Sequence, residues 1–537
     1  MSEDADGFVR GMLDPAAYPH PVDPIRLIET HVSWVFLTGS FVYKVKKPRV
    51  LGFLDSGTLE RRRCSCHEEV RVSRRFAPTL YVGVVPITGS RVVPLVDGPG
   101  SPCEWAVKLV QFDEANRLDA LLDRGLLTAA ACAGLGDAIA RLHERLAIAV
   151  PDAPWGSAAS LVDAAGRAIS QIRTLRPDVA SRVESLGGWF RRRVDTLLPT
   201  LGRRKAWGRV RECHGDLHLA NIVRHEGSMT PFDAIEFNES LRWIDVANDL
   251  AFLTMDLASR GRDDLAAYVA DAWMEAADDH GAAVPLPVYE VYRALVRADV
   301  AAIRASQESG EEAACARAET DRYLDLAASL AGPRRPVLFA TSGISGSGKS
   351  TLAAALVGTC HAVRIRSDVE RKRLAGMPPD GRPADAGAAG ALHAMAMTRQ
   401  VYERVSSLAR IVLGGGRSVV IDATASLRWQ RDCITRTARA AGVPLVWLDF
   451  HVPPGELLAR VAARAAGGRD PSDASAAVVR SQIAAREPLT AAEAGAAGAT
   501  FVRVTPRELD DPAFPTRLAA LADGEVPRWE ATVTPPA

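Results

Sequence analysis

Apolar and polar positions change their period several times along this chain, and the changes mark its elements. Residues 33–46 hold two short β-branched and aromatic runs around Gly39-Ser40, which predicts a β-hairpin. Residues 81–87 and 104–112 are apolar runs of strand length, whereas 59–76 (LERRRCSCHEEVRVSRRF) is charged, almost free of breakers and helical in composition. From Leu118 to Leu146 apolar residues recur every three or four positions, and 286–330 also reads as helix. Thr230–Phe237 predicts another strand. The proline-rich breaker Ala331-Gly-Pro-Arg-Arg-Pro336 then stops the helical pattern. Beyond it come the apolar run Val337–Ala340, a helix-forming stretch over 351–357, a strand entering a helix at 366–371, and an apolar strand over 418–424 that ends in an acid.

The 537 residues exceed one ordinary core and predict two or three domains. Lys+Arg and Asp+Glu both total 65, so net charge points to neither nucleic acid nor an acidic membrane surface. The opening residues MSEDADGF lack the apolar stretch of a secretory signal, and no run of 18 apolar residues offers a membrane span. The expectation is a soluble, cytoplasmic protein. Eight cysteines are scattered; Cys64-Ser-Cys66-His67 is a cluster without the second cluster a metal site would need.

The densest chemistry lies at Cys213–Val223, CHGDLHLANIV. Phosphoryl transfer needs a carboxylate to accept the substrate hydroxyl proton and a nearby oxygen to hold Mg2+ against the nucleotide phosphates. Asp216 and Asn221, five residues apart, offer both. The run resembles the catalytic loop of the aminoglycoside phosphotransferase and choline kinase family, relatives of the protein kinases. That resemblance implies Asp216 as base, Asn221 as metal ligand, and His214 and Gly215 as shapers of the loop. It also implies a small-lobe lysine on the nucleotide phosphates, matched by Lys44, with a helix glutamate as its partner, matched by Glu69 ahead of Glu68.

The second metal acid departs from the family pattern, because the chain offers both Asp233 and Glu236. Glu236 is preferred, having the apolar pair Ala234-Ile235 before it and better spacing to Asp245 and Asp249; Asp233 is the alternative at twelve residues past Asn221. Asp245 and Asp249 are expected to brace the loop and cap a helix, and His143 to pack or cap. Arg293 and Arg297, at i and i+4, face either the cleft or solvent.

Downstream, Gly343-Ile-Ser-Gly-Ser-Gly-Lys-Ser350 sits between an apolar run and a helix-forming stretch, the context of a P-loop. Gly343, Gly346, Ser347 and Gly348 let backbone N–H groups face phosphates, Lys349 reaches the outer phosphates, and Ser350 is placed for Mg2+ with Thr351 beside it. Asp368 is where small P-loop kinases place a substrate-side acid, and Arg371 is its neighbour for an anion or for orientation. Asp422 closes the strand over 418–424 as the Mg2+ acid; Ala423 follows where many motor-type ATPases carry glutamate, which favours transfer over hydrolysis. Arg460, Arg464 and Arg469 resemble the mobile lid of small-molecule and polynucleotide kinases and of the zeta-toxin family, with Arg464 the first choice for the transferring phosphoryl group.

Both halves together resemble bacterial two-domain proteins joining an aminoglycoside-phosphotransferase-like domain to a P-loop kinase-like domain. The expected fold is mixed α/β and α+β. A bilobal protein-kinase-like domain spans 1–330 (small lobe about 20–112, helical large lobe about 113–330), a linker 331–336, and a parallel α/β P-loop domain 337–537. The expected activity is ATP- and Mg2+-dependent phosphoryl transfer to a small-molecule hydroxyl, with no membrane partner and nucleic acid disfavoured. The alternative makes the N-terminal domain a nucleotide-sensing module that regulates a C-terminal kinase, whose acceptor could be a nucleic-acid 5′-hydroxyl. Acceptor identity and oligomeric state stay open.

Overall fold

Strand Phe41–Lys46 shows how the alternation becomes a lobe: Tyr43 and Val45 point into a core with Phe8, Trp34 and Phe36, so Lys44 and Lys46 must share the opposite face. In the computed structural model every residue is described except 1–2, 31, 52–53, 380, 382–385, 468–475 and 523–537. The chain divides into two compact units, one of residues 1–128, 141–256 and 292–324, the other of 129–140, 257–291 and 325–537.

The first unit opens with an antiparallel sheet of β1 (Arg26–Glu29), β2 (Ser33–Leu37), β3 (Phe41–Lys46), β4 (Tyr81–Gly89), β5 (Pro94–Val96) and β6 (Glu104–Val110), in the order β1-β2-β3-β6-β4-β5. Helix α1 (Leu59–Ser73) starts at Thr58, whose hydroxyl accepts the Arg61 N–H at 3.2 Å. It lays Cys66 and Val70 against Tyr81, Val107 and Leu109, which covers the lysine-bearing face of the sheet. Helices and two short antiparallel ribbons, Ile222–His225 with Ser228–Pro231 and Val210–Glu212 with Trp243–Asp245, complete the unit.

The second unit is built on a parallel sheet of β7 (Leu338–Ser342), β8 (Val363–Arg366), β9 (Val419–Asp422), β10 (Leu445–Phe450) and β11 (Thr500–Val504), ordered β8-β9-β7-β10-β11. Its β7 is buried at every position, as a strand covered on both faces must be. Residues 257–291, expected to belong to the N-terminal domain, group with this sheet. Within the helix Asp263–Ala276, Asp271 accepts the Arg364 N–H at 2.6 Å and Glu275 binds the Arg366 guanidinium.

Three expected elements come out differently. The strand read over 230–237 ends at Pro231, and Asp233 to Glu236 run as irregular chain, with Asp233 at φ 62°. The helical stretches 118–146 and 286–330 are each interrupted: the first gives Leu118–Asp123 and Ala129–Arg145, the second Leu286–Gln307 and Gly310–Leu330. Positive φ at Gly125 and Gly310 marks the breaks, an interruption that apolar periodicity alone does not register. All eight cysteines are free, and no described helix is long and apolar enough to cross a membrane.

Candidate functional site

The loop after Glu212 is held by buried polar groups. Asp249, fully buried, accepts the His214 N–H at 3.1 Å and the Gly215 N–H at 2.8 Å, while the His143 ring lies 3.1 Å from the same carboxylate. Burial opposes ionisation of Asp249, but these partners and Arg293 hold its carboxyl below the usual range. His214, whose protonation burial disfavours, bonds the Phe232 carbonyl at 2.8 Å. Arg293 donates to the Gly215 carbonyl at 2.9 Å, and Asp256 accepts the Leu219 N–H at 3.0 Å. Gly215 has φ 84°, and a Cβ there would stand 2.7 Å from the Leu241 carbonyl oxygen. Only glycine satisfies both constraints.

His143, Cys213 and Asp249 are close enough to hold a metal, their ligand atoms all within 4.8 Å. Yet both Asp249 oxygens are engaged with the loop, and burial raises the Cys213 thiol so that it keeps its proton. The cluster is therefore the loop's frame, made with a residue from the helix Val246–Ser259.

At the loop's working end, the Asn221 amide donates to the Asp216 carboxylate at 2.9 Å and to its carbonyl at 3.0 Å, which leaves the amide oxygen of Asn221 turned elsewhere. Burial raises the cost of charge on Asp216, but His218 at 3.4 Å, with His214 and Arg297, outweighs it and keeps the carboxyl ionised. Arg297 sits one helical turn from Arg293 and bonds the Tyr323 hydroxyl at 3.4 Å.

Across a cleft of about 260 Å³, Lys44 stands on β3 with its ammonium 3.0 Å from Glu69 Oε1 and 2.5 Å from Asp233 Oδ1. Its lining combines apolar side chains, among them Ile28, Val35, Leu37 and Leu109, with Lys44, Glu69, Asn221 and Asp233. Burial works against the Lys44 charge, but Asp233, Glu69 and Glu236 more than restore it. Asp233 is oriented by its N–H to the Tyr81 hydroxyl at 3.0 Å.

Glu236, preferred on spacing, is directed instead at Lys46 and does not line the cleft. Burial and the neighbouring Glu69 raise its carboxyl, and of the two acids it is Asp233 that lines the cleft. Glu68 likewise faces away, binding Arg71 and Arg242.

In the second unit the loop between β7 and helix α2 (Lys349–Cys360) turns through Gly346 and Gly348, at φ 88° and 92°. Gly343 donates to the Thr424 carbonyl at 2.8 Å. Lys349 folds over the loop, donating to the Ile344 carbonyl at 2.8 Å and lying 3.5 Å from the Ser347 hydroxyl. The Ser350 hydroxyl bonds Asp422 at the end of β9; burial raises this carboxyl against the pull of Lys349 and Ser350. Thr351 is exposed at the helix start.

Asp368 lies in the first turn of the helix Ser367–Leu374, half-buried, where Tyr402 and Asp422 feel its charge. One terminal nitrogen of Arg371 donates to the Leu392 carbonyl and the Thr398 hydroxyl, each at 3.1 Å, while its Nε is buried without a hydrogen-bond partner among the described residues. Arg460 pairs with Glu456 one turn back on the same helix. The Arg464 side chain, and Arg469 with 470–474, lie outside the described residues.

Lys46, the same-face neighbour of Lys44 and on sequence a solvated strand face, is instead buried and binds both Glu69 and Glu236. Sequence reading missed two further participants. Gln482, on helix α3 (Ala476–Ala485), accepts the Ser345 N–H of the phosphate loop at 2.9 Å, and Arg486 just beyond binds the buried Asp449 at 2.8 Å. Nothing in the local pattern around 482–486 announces either contact.

The family model of an AAA domain matches residues 338–489. Uncharacterized protein Rv2004c of Mycobacterium tuberculosis is 30% identical over 479 residues, covering 87% of this chain and 92% of that protein; Mb2027c of Mycobacterium bovis gives the same values. Among solved structures, a choline/ethanolamine kinase family protein from Mesorhizobium loti aligns with 60% of this chain and 99% of its own, at 13% identity and a TM-score of 0.35. A gluconokinase from Sinorhizobium meliloti aligns with 35% of this chain and 92% of its own, at 22% identity and a TM-score of 0.23. With near full-length coverage of the mycobacterial proteins, the chain belongs to their family, and its match to the AAA domain model lies in the C-terminal part.

Proposed function

We propose that this protein is a kinase with two ATP sites that transfers the γ-phosphoryl group to a hydroxyl of a small molecule. The observation that carries the reading is that the Lys44–Glu69 ion pair, Asp233 and Asn221 all line the first cleft, with Asn221 hydrogen-bonded to Asp216.

Each residue has a task in that reading. The apolar lining of the cleft suits a flat purine, and Lys44 suits the nucleotide phosphates. The hard oxygen donors of Asn221 and Asp233 would hold Mg2+, whose chemistry is to neutralise phosphate charge. Asp216, ionised and oriented by Asn221 and His218, accepts the acceptor hydroxyl's proton as that hydroxyl oxygen bonds to the γ-phosphorus and the bond to the β,γ-bridging oxygen breaks, releasing ADP. Catalysis by this loop is mostly positioning, which suits a carboxylate too weak to remove the proton before attack.

In the second unit, the backbone N–H groups around Gly346 and Gly348 with Lys349 would cradle phosphates. Ser350 and Asp422 would hold the second Mg2+, and Asp368 is the acid for the acceptor side. The small-molecule acceptor is preferred to nucleic acid because positive and negative charges balance over the chain.

The test follows phosphate from γ-labelled ATP into a panel of sugars, polyols, amino alcohols, nucleosides and 5′-hydroxyl oligonucleotides, with the wild type, Asp216→Asn and Lys349→Ala. Transfer lost in one variant and kept in the other assigns an acceptor to a site. ATP binding without transfer that depends on Asp216 would overturn the catalytic role of the first site and favour the sensing module.

A further inference from the structure

Glu69 has no exposed side-chain surface, and both of its oxygens are ion-paired: Oε1 with Lys44 at 3.0 Å, Oε2 with Lys46. Each lysine holds a second carboxylate from the chain that follows the loop, Lys44 taking Asp233 at 2.5 Å and Lys46 taking Glu236. Five charged side chains therefore form one line, Asp233–Lys44–Glu69–Lys46–Glu236, from three separate parts of the fold.

The two ends of this line are unlike. Asp233 is 41% exposed and Lys44 15%, and both line the cleft. Lys46 is 2% exposed and Glu236 8%, and neither lines it. Lys46 thus has no route to a nucleotide, yet it neutralises half of a carboxylate that cannot be left charged and alone in the interior.

That arrangement answers a difficulty in the proposed reaction. In the structure Lys44 and Asp233 satisfy each other, whereas nucleotide use requires Lys44 on phosphate and Asp233 on metal. While Lys44 changes partners, Glu69 would lose its full compensation if Lys44 were its sole counter-ion. Lys46, pinned by Glu236, keeps Glu69 compensated and stationary through the exchange.

We propose that Lys46, held by Glu236, is a positioning residue of the N-terminal site: it fixes Glu69 so that Lys44 can leave Asp233 for the nucleotide and Asp233 becomes available to the metal. The proposal rests on the reading of this cleft as a nucleotide site. It also gives the paired acids distinct tasks, Asp233 at the metal and Glu236 behind it.

Calorimetric titration of the full chain carrying Lys349→Ala, with ATP in Mg2+ and in EDTA, tests it. Lys46→Met is expected to weaken ATP binding about tenfold in Mg2+ and to have little effect in EDTA, so the gain in affinity from Mg2+ collapses. Lys46→Arg should restore most of that gain, and Glu236→Gln should lose part of it. A purely structural lysine would lower thermal stability and leave the Mg2+ gain intact.

Lys44→Met separates the two levels of the argument. If it leaves ATP affinity unchanged, the cleft is not a nucleotide site. If it weakens binding while Lys46→Met and Glu236→Gln keep the full Mg2+ gain, the positioning role is overturned. Should Lys46→Met not fold, an unchanged gain in Glu236→Gln overturns it, and a reduced gain supports it.

Discussion

In the proposed reading, the cleft of the first unit and the phosphate loop of the second serve the same ligand chemistry in opposite ways. The cleft assembles charged side chains from β3, α1 and the chain around Asp216 to Glu236, with Lys44 and Asp233 meeting across almost the whole unit. The loop uses eight consecutive residues, Gly343 to Ser350, some of whose N–H groups are held by Thr424, Ile344 and Gln482 and whose remaining ones are the proposed binding surface. A site made of side chains can be retuned or silenced one residue at a time. A site made of backbone depends on φ, and so on its glycines.

The strongest way to break this comparison is at the proposed base. Asp216→Asn keeps the shape and the hydrogen-bonding capacity toward Asn221 but removes the proton acceptor. Transfer by the first site should fall about 10²- to 10⁴-fold with nucleotide affinity nearly unchanged, as steady-state kinetics on the acceptor found in the panel would show. Equal loss of binding and transfer would make Asp216 a structural residue.

Lys349→Ala comes next. Removing a charge-assisted contact to phosphate should weaken ATP at the second site by about 10- to 100-fold while Asp216-dependent transfer continues, measurable by filter binding and the transfer assay together. A smaller effect is expected at the loop's frame. Gly346→Ala would place a Cβ 2.9 Å from a Val461 methyl at φ 88°, so ATP affinity at the second site should drop several-fold with the first site untouched.

The mildest prediction concerns stability of the P-loop unit. Burial raises the Asp271 carboxyl from 3.8 to about 6, against the pull of Arg364. Between those values the folded chain keeps a proton that the unfolded chain has lost, so this group's contribution to stability falls as pH rises from about 4 to about 6 and is flat above. Asp271→Asn retains an acceptor for the Arg364 N–H and removes the titration. It should stabilise the second unit by on the order of 2 kcal/mol at pH 7 and by little at pH 4, read from denaturant unfolding followed by loss of ATP binding at Lys349. No difference between the two pH values would show that Asp271 is charged without penalty.

How much of this was legible in the sequence follows the same contrast. The phosphate loop could be read directly, because its function lies in consecutive residues flanked by a strand and a helix. Asp216 and Asn221 were likewise local enough to single out together, as proton acceptor and metal ligand; the hydrogen bond between them was not anticipated.

The choice between Asp233 and Glu236 was not legible, because strand-like spacing assumes a strand. The chain leaves the strand at Pro231, and Asp233 takes a left-handed conformation that turns its side chain toward the cleft. Lys46 was visible as a same-face neighbour of Lys44, but its burial with Glu236 is set by α1 packing over the sheet. Gln482 and Arg486 reach their partners through tertiary contacts that no short pattern encodes. The grouping of 257–291 with the P-loop sheet has the same origin: Asp271 and Glu275 find Arg364 and Arg366 about ninety residues away.

The central claim, two independent nucleotide sites on one chain, is tested most directly by the stoichiometry of Mg·ATP binding to the full protein by calorimetry. The account predicts two equivalents for the wild type, one for Lys44→Met, one for Lys349→Ala, and none for the double variant at the same concentrations. A single equivalent that disappears with Lys349→Ala and ignores Lys44→Met would contradict it, leaving the first unit a kinase-like fold without a nucleotide.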